Sequence, residues 1–332
     1  MDYRQLGRTD LQVSEVGFGC GAVGGLMVRG DRDEMKRAVA LAIDSGINYF
    51  DTARLYGNGQ SETNLGQALR DLSADVVVGT KVKLEAPDMP DIAGAVMQHV
   101  EGSLKRLGRE SVDVVSLHHP LGASRDIDRQ ILDLNDVAAA AESFSKLVGQ
   151  GKIRYWGMNA VGDTETVHTA LEAAHPFAVQ AVYNLLNPSG SLPVAAGFPF
   201  QDYRGMIQAA SGRGIGIFAI RVLAGGALTG TADRHPNASP PPTPMASGRT
   251  YNDDLEQAQA FRFLIDDGYA DSMAEASVRF VISNRDISTA LVGIASIEQL
   301  EQALASAAKG PLPTEALDKL PSAWESFAGE KG

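Results

Sequence analysis

An apolar run that closes on a carboxylate, with a phenol five positions later, is the first chemical signal in this chain. The stretch FDTARLYGNGQSE carries Asp51, Tyr56, Gly57, Gly59 and the helix-start pair Ser61-Glu62. Two later apolar runs also end in ionisable groups, VVVGTK at Lys81 and VVSLHH at His118 and His119. A Lys that closes an apolar run needs a partner, because a desolvated ammonium is costly. Asp51 is the natural one if the two strands are neighbours. Such a pair alone is equally a structural device. A Tyr and a His at the same rim point beyond structure, to proton transfer. A phenol ordinarily titrates near ~10, and a nearby ammonium favours the phenolate. An imidazole can hydrogen-bond the same oxygen or relay its proton. The set suits giving a proton to, or taking one from, an oxygen on a substrate carbon. In this reading Asp51 holds Lys81, Lys81 lowers the pKa of Tyr56, and Gly57 and Gly59 let the loop turn beneath them.

These groups need elements that bring strand ends together. Short apolar runs predict strands at Glu15–Gly19, Ile47–Asp51, Val76–Lys81, Val112–His118, Arg154–Asn159, Ala178–Asn184, Ile215–Arg221 and Thr289–Gly293. Helical patterns alternate with them at Arg32–Ser45, Glu62–Leu72, Ile92–Leu107, Asn135–Gln150, Thr164–His175, Gln201–Arg213, Met273–Ser283 and Ile297–Ala307. Asp31, Ser61, Asp163 and Ser296 are cap-type residues at four helix starts. Eight strands alternating with eight helices predict an α/β fold, a closed (β/α)8 TIM barrel in one domain over residues 1–332. Polar residues at the carboxyl ends of barrel strands are the catalytic suspects. Tyr3–Leu6 and Leu11–Val13 read as a hairpin that plugs the barrel's bottom. Residues 231–250, with HPNASPPPTPMASG inside, break the alternation after the seventh strand and read as a mobile loop or lid.

Composition narrows the function classes. The hydrophobic fraction is 44%, enough for a large core. Lys plus Arg number 29 against 41 Asp plus Glu, a net charge of -12, which disfavours nucleic-acid binding. The single Cys20 excludes an internal disulfide and suits a reducing cytoplasm. The polar start MDYRQLGRTD does not read as a signal peptide, and no membrane span is expected. No metal site is expected.

With its order of motifs the chain resembles the aldo-keto reductase superfamily, from Leu6 to about Ala305. The motifs are DTARLYG at 51–57, SETNLG at 61–66, GTK at 79–81, LHHP at 117–120 and GKIRYWG at 151–157. The resemblance implies a (β/α)8 barrel that binds a nicotinamide cofactor in extended form and transfers hydride to a carbonyl, or from an alcohol. It assigns Asp51, Tyr56, Lys81 and His118 as the catalytic four, with Tyr56 the general acid. It leaves His119 as a pocket-lining neighbour. It places Gly19, Cys20 and Gly21 beneath the nicotinamide. Asn159 and Gln180 take two of the positions that grip the carboxamide, and Ala160 cannot take the third. Ile220 replaces a stacking aromatic and Arg221 replaces a Ser, where a guanidinium suits pyrophosphate. Leu223 to Gly225 match a phosphate-contacting loop.

At the adenosine end, GIASIEQLEQA runs from Gly293 to Ala303, with Ser296 and Gln299 as contacts. Family members that prefer NADP usually carry a basic residue here. This chain has Ala295 and Gln299 at the candidate places, so NADP and NAD both stay open. Strong NADP preference would need a cation from elsewhere, Arg285 or Arg221. The substrate is a small carbonyl or alcohol in a pocket walled by Met27, Leu84 and His119, with Phe198 or Phe200. Two rival readings remain. One is a cofactor-binding regulatory subunit of the kind that serves ion channels. The other is a Schiff-base lyase using Lys81, against which the Asp51–Lys81 pairing argues, since an amine nucleophile must be uncharged.

Overall fold

The protein, seen in a computed structural model that describes residues 1–327, is built around eight short parallel strands. They are β3 (Val16–Gly19), β4 (Tyr49–Asp51), β5 (Val77–Val82), β6 (Val112–Leu117), β7 (Ile153–Ala160), β8 (Ala178–Val182), β9 (Gly216–Ile220) and β10 (Thr289–Gly293). Each pairs with its neighbours in chain order, and β10 pairs back onto β3, closing the barrel. Strands this short and this apolar are buried on both faces, as a parallel barrel requires.

Helices pack the outer face. They are α1 (Leu26–Arg29), α2 (Arg32–Asp44), α3 (Gln60–Asp71), α4 (Ile92–Leu107), α5 (Leu134–Gly149), α6 (Thr164–Ala174), α7 (Met206–Ser211), α8 (Tyr251–Ala258), α9 (Phe263–Asp266), α10 (Met273–Ser283), α11 (Ile297–Ala308) and α12 (Thr314–Phe327). The caps at Asp31, Asp163 and Ser296 are as expected, each side chain accepting from backbone N–H groups of the first turn. Ser61 is not a cap. Gly59 caps α3 in the left-handed region at φ 89, and the Ser61 hydroxyl turns inward instead. The expected helix Gln201–Arg213 shortens to α7, because Arg204 and Gly205 both take positive φ and break the helical path. The C-terminal α12 follows the region read from sequence. It docks through Trp324, whose indole N–H donates to the Leu185 carbonyl at 2.7 Å.

The hairpin plugs the barrel. Strands β1 (Tyr3–Gln5) and β2 (Gln12–Ser14) pair antiparallel. Leu6, Leu11 and Val13 pack into one buried cluster with Tyr49, Val114, Ala178, Phe218 and Leu291 from the barrel interior. Burying one such Leu contributes about 1.5–3 kcal/mol. The plug sits so close that a Cβ on Gly7 would lie 2.3 Å from the Gly216 nitrogen.

Candidate active site

The carboxyl ends of β4, β5 and β6 bring the first-noted side chains together. Lys81 Nζ donates to Asp51 Oδ2 at 2.5 Å, to the Thr52 carbonyl at 2.8 Å and to the Tyr56 hydroxyl at 3.1 Å. The side chains of Lys81 and Asp51 are 1% and 8% exposed, so this ion pair is buried. Gln180, in the middle of β8, completes the Asp51 carboxylate, its Nε2 donating to Oδ1 at 2.8 Å. His118, just beyond β6, stands edge-on to the Tyr56 ring with centroids 5.9 Å apart. Its Nδ1 is buried without a partner among the described residues.

The loop carrying Tyr56 is moored from below. Ser61 Oγ donates to the Cys20 carbonyl at 2.9 Å and lies 2.8 Å from Thr52 Oγ1. Glu62, fully buried, accepts from Thr80 Oγ1 at 2.6 Å and from Arg106 Nε at 2.5 Å. These bonds tie α3 to the strand position just before Lys81. The turn itself needs its glycines: Gly57 and Gly59 have φ of 62 and 89.

Electrostatics sort the proton states. Burial raises the Asp51 carboxyl above its usual range, opposed by the Lys81 charge and by the bonds from Lys81 and Gln180. Burial also pulls the Lys81 ammonium down, but Asp51 and Tyr56 outweigh it and hold Lys81 charged. Tyr56 departs from the sequence expectation. Burial raises its phenol above the usual value, Lys81 lowers it, and Asp51 raises it again, so the net shift is upward. The ammonium is shared with Asp51, and a phenolate would have to form out of water beside that carboxylate. His118 is pushed well below its usual value, by burial first and then by the Lys81 and Lys83 charges, so its imidazole is neutral. The set therefore holds a protonated phenol and a neutral imidazole at one rim, an arrangement suited to donating a proton to an oxygen.

Two groups of expected contact residues surround it. Gly19 ends β3, and the Cys20 N–H donates to the Asp51 carbonyl at 2.9 Å. Gly21 lies beside the Tyr56 ring, where a Cβ would stand 3.8 Å from it. Asn159 and Gln180 are register partners across β7 and β8. Asn159 Oδ1 is buried without a partner among the described residues, so an acceptor is free for a carboxamide N–H. Ile220 ends β9 half-buried. Arg221 follows at φ 59, its carbonyl accepting from Asn184 Nδ2 at 2.9 Å. Its guanidinium lies against Gly225, near the Leu223 turn. Gly293, at the end of β10, is exposed. Ser296 caps α11, and Gln299 Oε1 accepts from the Ala295 N–H at 3.0 Å.

The residues expected to wall the pocket are buried. Met27 and Leu84 are 1% and 0% exposed and present no surface to a pocket. His119 is also fully buried. Its Nε2 accepts the Leu84 N–H at 2.8 Å, which leaves Nδ1–H to donate to the Gln130 carbonyl at 2.8 Å. Burial lowers it to about 4, consistent with a neutral strut between two loops. Phe198 and Phe200 are half-buried and pack against each other. Arg285 lies away from the site. It precedes β10, on the face opposite the site, near Arg4 of the hairpin.

The region expected to meet adenosine also carries charged groups that the sequence reading did not name. Glu298 sits in the first turn of α11, its carboxyl held low chiefly by Ser296, with His235 and Arg37 contributing. Residues 231–250 form a strap docked across the barrel mouth. Arg29 donates to the Asn237 carbonyl at 2.7 Å, the Ser239 N–H to the Val23 carbonyl at 3.1 Å, and Asn237 Nδ2 to the Ala295 carbonyl at 3.0 Å. Spacing gave no signal for these contacts, since the partners are far apart in the chain.

A closed parallel barrel carries a buried Asp–Lys pair, a phenol and an imidazole at its carboxyl rim, the end where barrel enzymes hold their sites. The family model described as Aldo/keto reductase family matches residues 15–325, and the chain belongs to that family. Membership implies NAD(P)-dependent oxidoreductase activity. Curated relatives include a probable voltage-gated potassium channel subunit beta of Oryza sativa subsp. japonica, 27% identical over 98% of this chain and 97% of the relative. L-galactose dehydrogenase of Arabidopsis thaliana is 26% identical over 92% of this chain and 88% of its own length. Pyridoxal 4-dehydrogenase of Microbacterium luteolum is 26% identical over 90% and 91%. The holo form of aldo-keto reductase AKR11C1 from Bacillus halodurans has the same fold, with a TM-score of 0.70, 22% identity and coverage of 98% and 96%. Among the described residues no helix is long and apolar enough to cross a membrane, and no cluster of possible metal ligands occurs.

Proposed function

We infer that this protein interconverts a small carbonyl compound and its alcohol, with Tyr56 as the general acid in reduction and the base in oxidation. One observation carries the reading: the Tyr56 hydroxyl shares the Lys81 ammonium with Asp51, at 3.1 Å and 2.5 Å, inside a buried rim. A nicotinamide cofactor, when bound, supplies or accepts the hydride. This chain's residues do the rest. Tyr56 holds the proton destined for the substrate oxygen. Lys81 steadies the phenolate left behind, and Asp51 keeps Lys81 charged in a site where an isolated ammonium is costly. Neutral His118 offers a hydrogen bond to the same oxygen. Asn159, whose Oδ1 acceptor has no partner among the described residues, suits a carboxamide N–H. Arg221 suits the pyrophosphate, because its guanidinium is largely desolvated and an anion would compensate it. Sugars and small aldehydes are the first substrates to try, given the relatives named L-galactose and pyridoxal 4-dehydrogenase.

The test is a carbonyl and alcohol screen with NAD and NADP in both directions, repeated with Tyr56→Phe. The variant is expected to bind cofactor like wild type and to lose roughly 10²–10⁴ in turnover. Wild-type turnover in the variant removes Tyr56 from the mechanism. Relatives named as potassium channel subunits favour a second reading, a cofactor-binding regulatory subunit. The complete proton-handling set weighs against it, and absence of turnover across the whole screen would favour it.

A further inference from the structure

Two lysines stand where β5 leaves the barrel, and only one has a partner. Lys81 is held by Asp51, the Thr52 carbonyl and the Tyr56 hydroxyl. Lys83 comes two residues later, just past the end of the strand. It is 9% exposed, yet its ammonium makes no hydrogen bond and no ion pair among the described residues. Side chains alternate along a strand, so Lys83 lies on the same side as Lys81, roughly 6.5 Å nearer the mouth. Strand β6 runs alongside. The His118 N–H donates to the Val82 carbonyl at 2.8 Å, which sets Lys83 beside His118. Burial first, and then among other groups the Lys83 charge, lowers both His118 and His119. Burial also pulls the Lys83 ammonium down, and no carboxylate opposes that shift. A desolvated ammonium without a counter-charge is costly.

We propose that Lys83 binds an anionic group of the substrate, a carboxylate or a phosphate a few bonds from the carbonyl that Tyr56 protonates. This rests on the reading of Tyr56 as the acid–base group and names the substrate class for that site. The net charge of -12 repels anions from the protein as a whole, so an acidic substrate needs a local cation to hold it. Lys83 supplies one at a rim where Met27, Leu84 and His119 offer no surface. An arriving anion gives the ammonium the counter-charge that the fold withholds, and their attraction offsets part of the desolvation of both. Arg221, the other desolvated cation near Tyr56, follows β9 on the opposite side of the barrel and is left to the pyrophosphate.

Matched pairs of aldehydes test this on the cofactor-loaded protein: glutaric semialdehyde against pentanal, and glycolaldehyde phosphate against glycolaldehyde. Wild type is expected to favour the anionic member of at least one pair by about ten- to a hundredfold in kcat/KM, the worth of one charge-assisted bond. The pair that shows the preference tells a carboxylate from a phosphate. In Lys83→Met the ratio should fall to about one, with most of the change in KM. In Lys83→Glu it should invert. Met keeps the buried stem and removes an uncompensated charge, so the urea midpoint of Lys83→Met should stay level or rise. A ratio that Lys83→Met leaves unchanged overturns the proposal, as does a wild type without preference for the anionic member of either pair. A lowered midpoint with the ratio kept assigns Lys83 to the fold and also overturns it. Where neither member of a pair turns over, dissociation constants of the same compounds, read by quenching of Trp fluorescence, decide by the same ratio. Retained turnover in Tyr56→Phe is a failure of the acid–base reading itself. An inactive Tyr56→Phe beside an unchanged ratio in Lys83→Met is a failure of the Lys83 role alone.

Discussion

Replacing Lys81 with Met isolates the energetics of the buried pair. The Lys81 side chain is 1% exposed, and its Nζ serves Asp51, the Thr52 carbonyl and the Tyr56 hydroxyl. The variant leaves Asp51 with the Gln180 N–H alone. Breaking a buried ion pair from one side costs about 3–5 kcal/mol. The surviving Gln180 bond argues for the lower end, so about 3 kcal/mol is expected. With a urea dependence of about 3 kcal/mol per molar, at the upper end for smaller domains, that lowers the unfolding midpoint by roughly 1 M. Trp fluorescence reads the transition. The pH dependence gives the sharper test. Burial already raises the Asp51 carboxyl in the wild type, and loss of the Lys81 charge raises it further. A raised folded-state pKa means that the native state binds the proton more tightly than the unfolded chain. Stability from that proton is full below the unfolded value and is lost as pH rises through the folded value. The deficit of Lys81→Met should thus be largest near about pH 8 and shrink toward about pH 5. Adding Asp51→Asn removes the orphaned charge and should recover about 2 kcal/mol at the higher pH. A deficit independent of pH, or no recovery in the double variant, refutes the view of Asp51 as a buried charge held by Lys81.

Other outcomes follow from the same contacts. His119 is lowered from 6.5 to about 4, so it contributes stability above 6.5 that is lost as pH falls through 4. His119→Gln should flatten that acid loss by on the order of 3 kcal/mol, seen in urea midpoints across the window, and an unchanged slope would falsify the buried neutral strut. Arg29→Ala removes the clasp on the Asn237 carbonyl and should speed limited proteolysis at Arg234 and Arg249, while saturating cofactor should slow it in wild type. Equal cleavage in all three conditions leaves the strap an inert insertion. Ala295 is only 1% exposed, so a basic residue there has no room, and Glu298 is the better site for altering cofactor choice. Glu298→Gln should raise affinity for NADP by roughly two- to fivefold and leave NAD unchanged, since it removes a like charge at the mouth of α11. Equal changes for both cofactors in titration would show that Glu298 does not face the 2′-phosphate.

The sequence by itself determined the barrel and the ionisable groups at its rim. Strand β10 and helices α4 and α10 lie where the apolar patterns put them, because burial on both faces of a strand and one face of a helix is written locally. The hairpin plug was legible for the same reason, as short apolar runs around Gly7-Arg8-Thr9-Asp10. Asp51, Tyr56, Lys81 and His118 were visible because each polar group ends or follows an apolar run, and strand order alone makes neighbours of β4, β5 and β6. Tertiary structure decided what each group does there. The direction of the Tyr56 shift depends on how completely the phenol is desolvated and how the Lys81 ammonium is shared, and neither has a local signature. His119 looks like His118 in sequence, yet one imidazole bridges Leu84 to Gln130 while the other keeps, among the described residues, an unpartnered nitrogen beside Tyr56. Gln180 meets Asp51 across 129 positions, and the strap meets Val23 and Ala295 across the barrel mouth. Such contacts exist only once closure of the sheet brings β8, β9 and β10 back to β3, which is why residue spacing along the chain carries no trace of them.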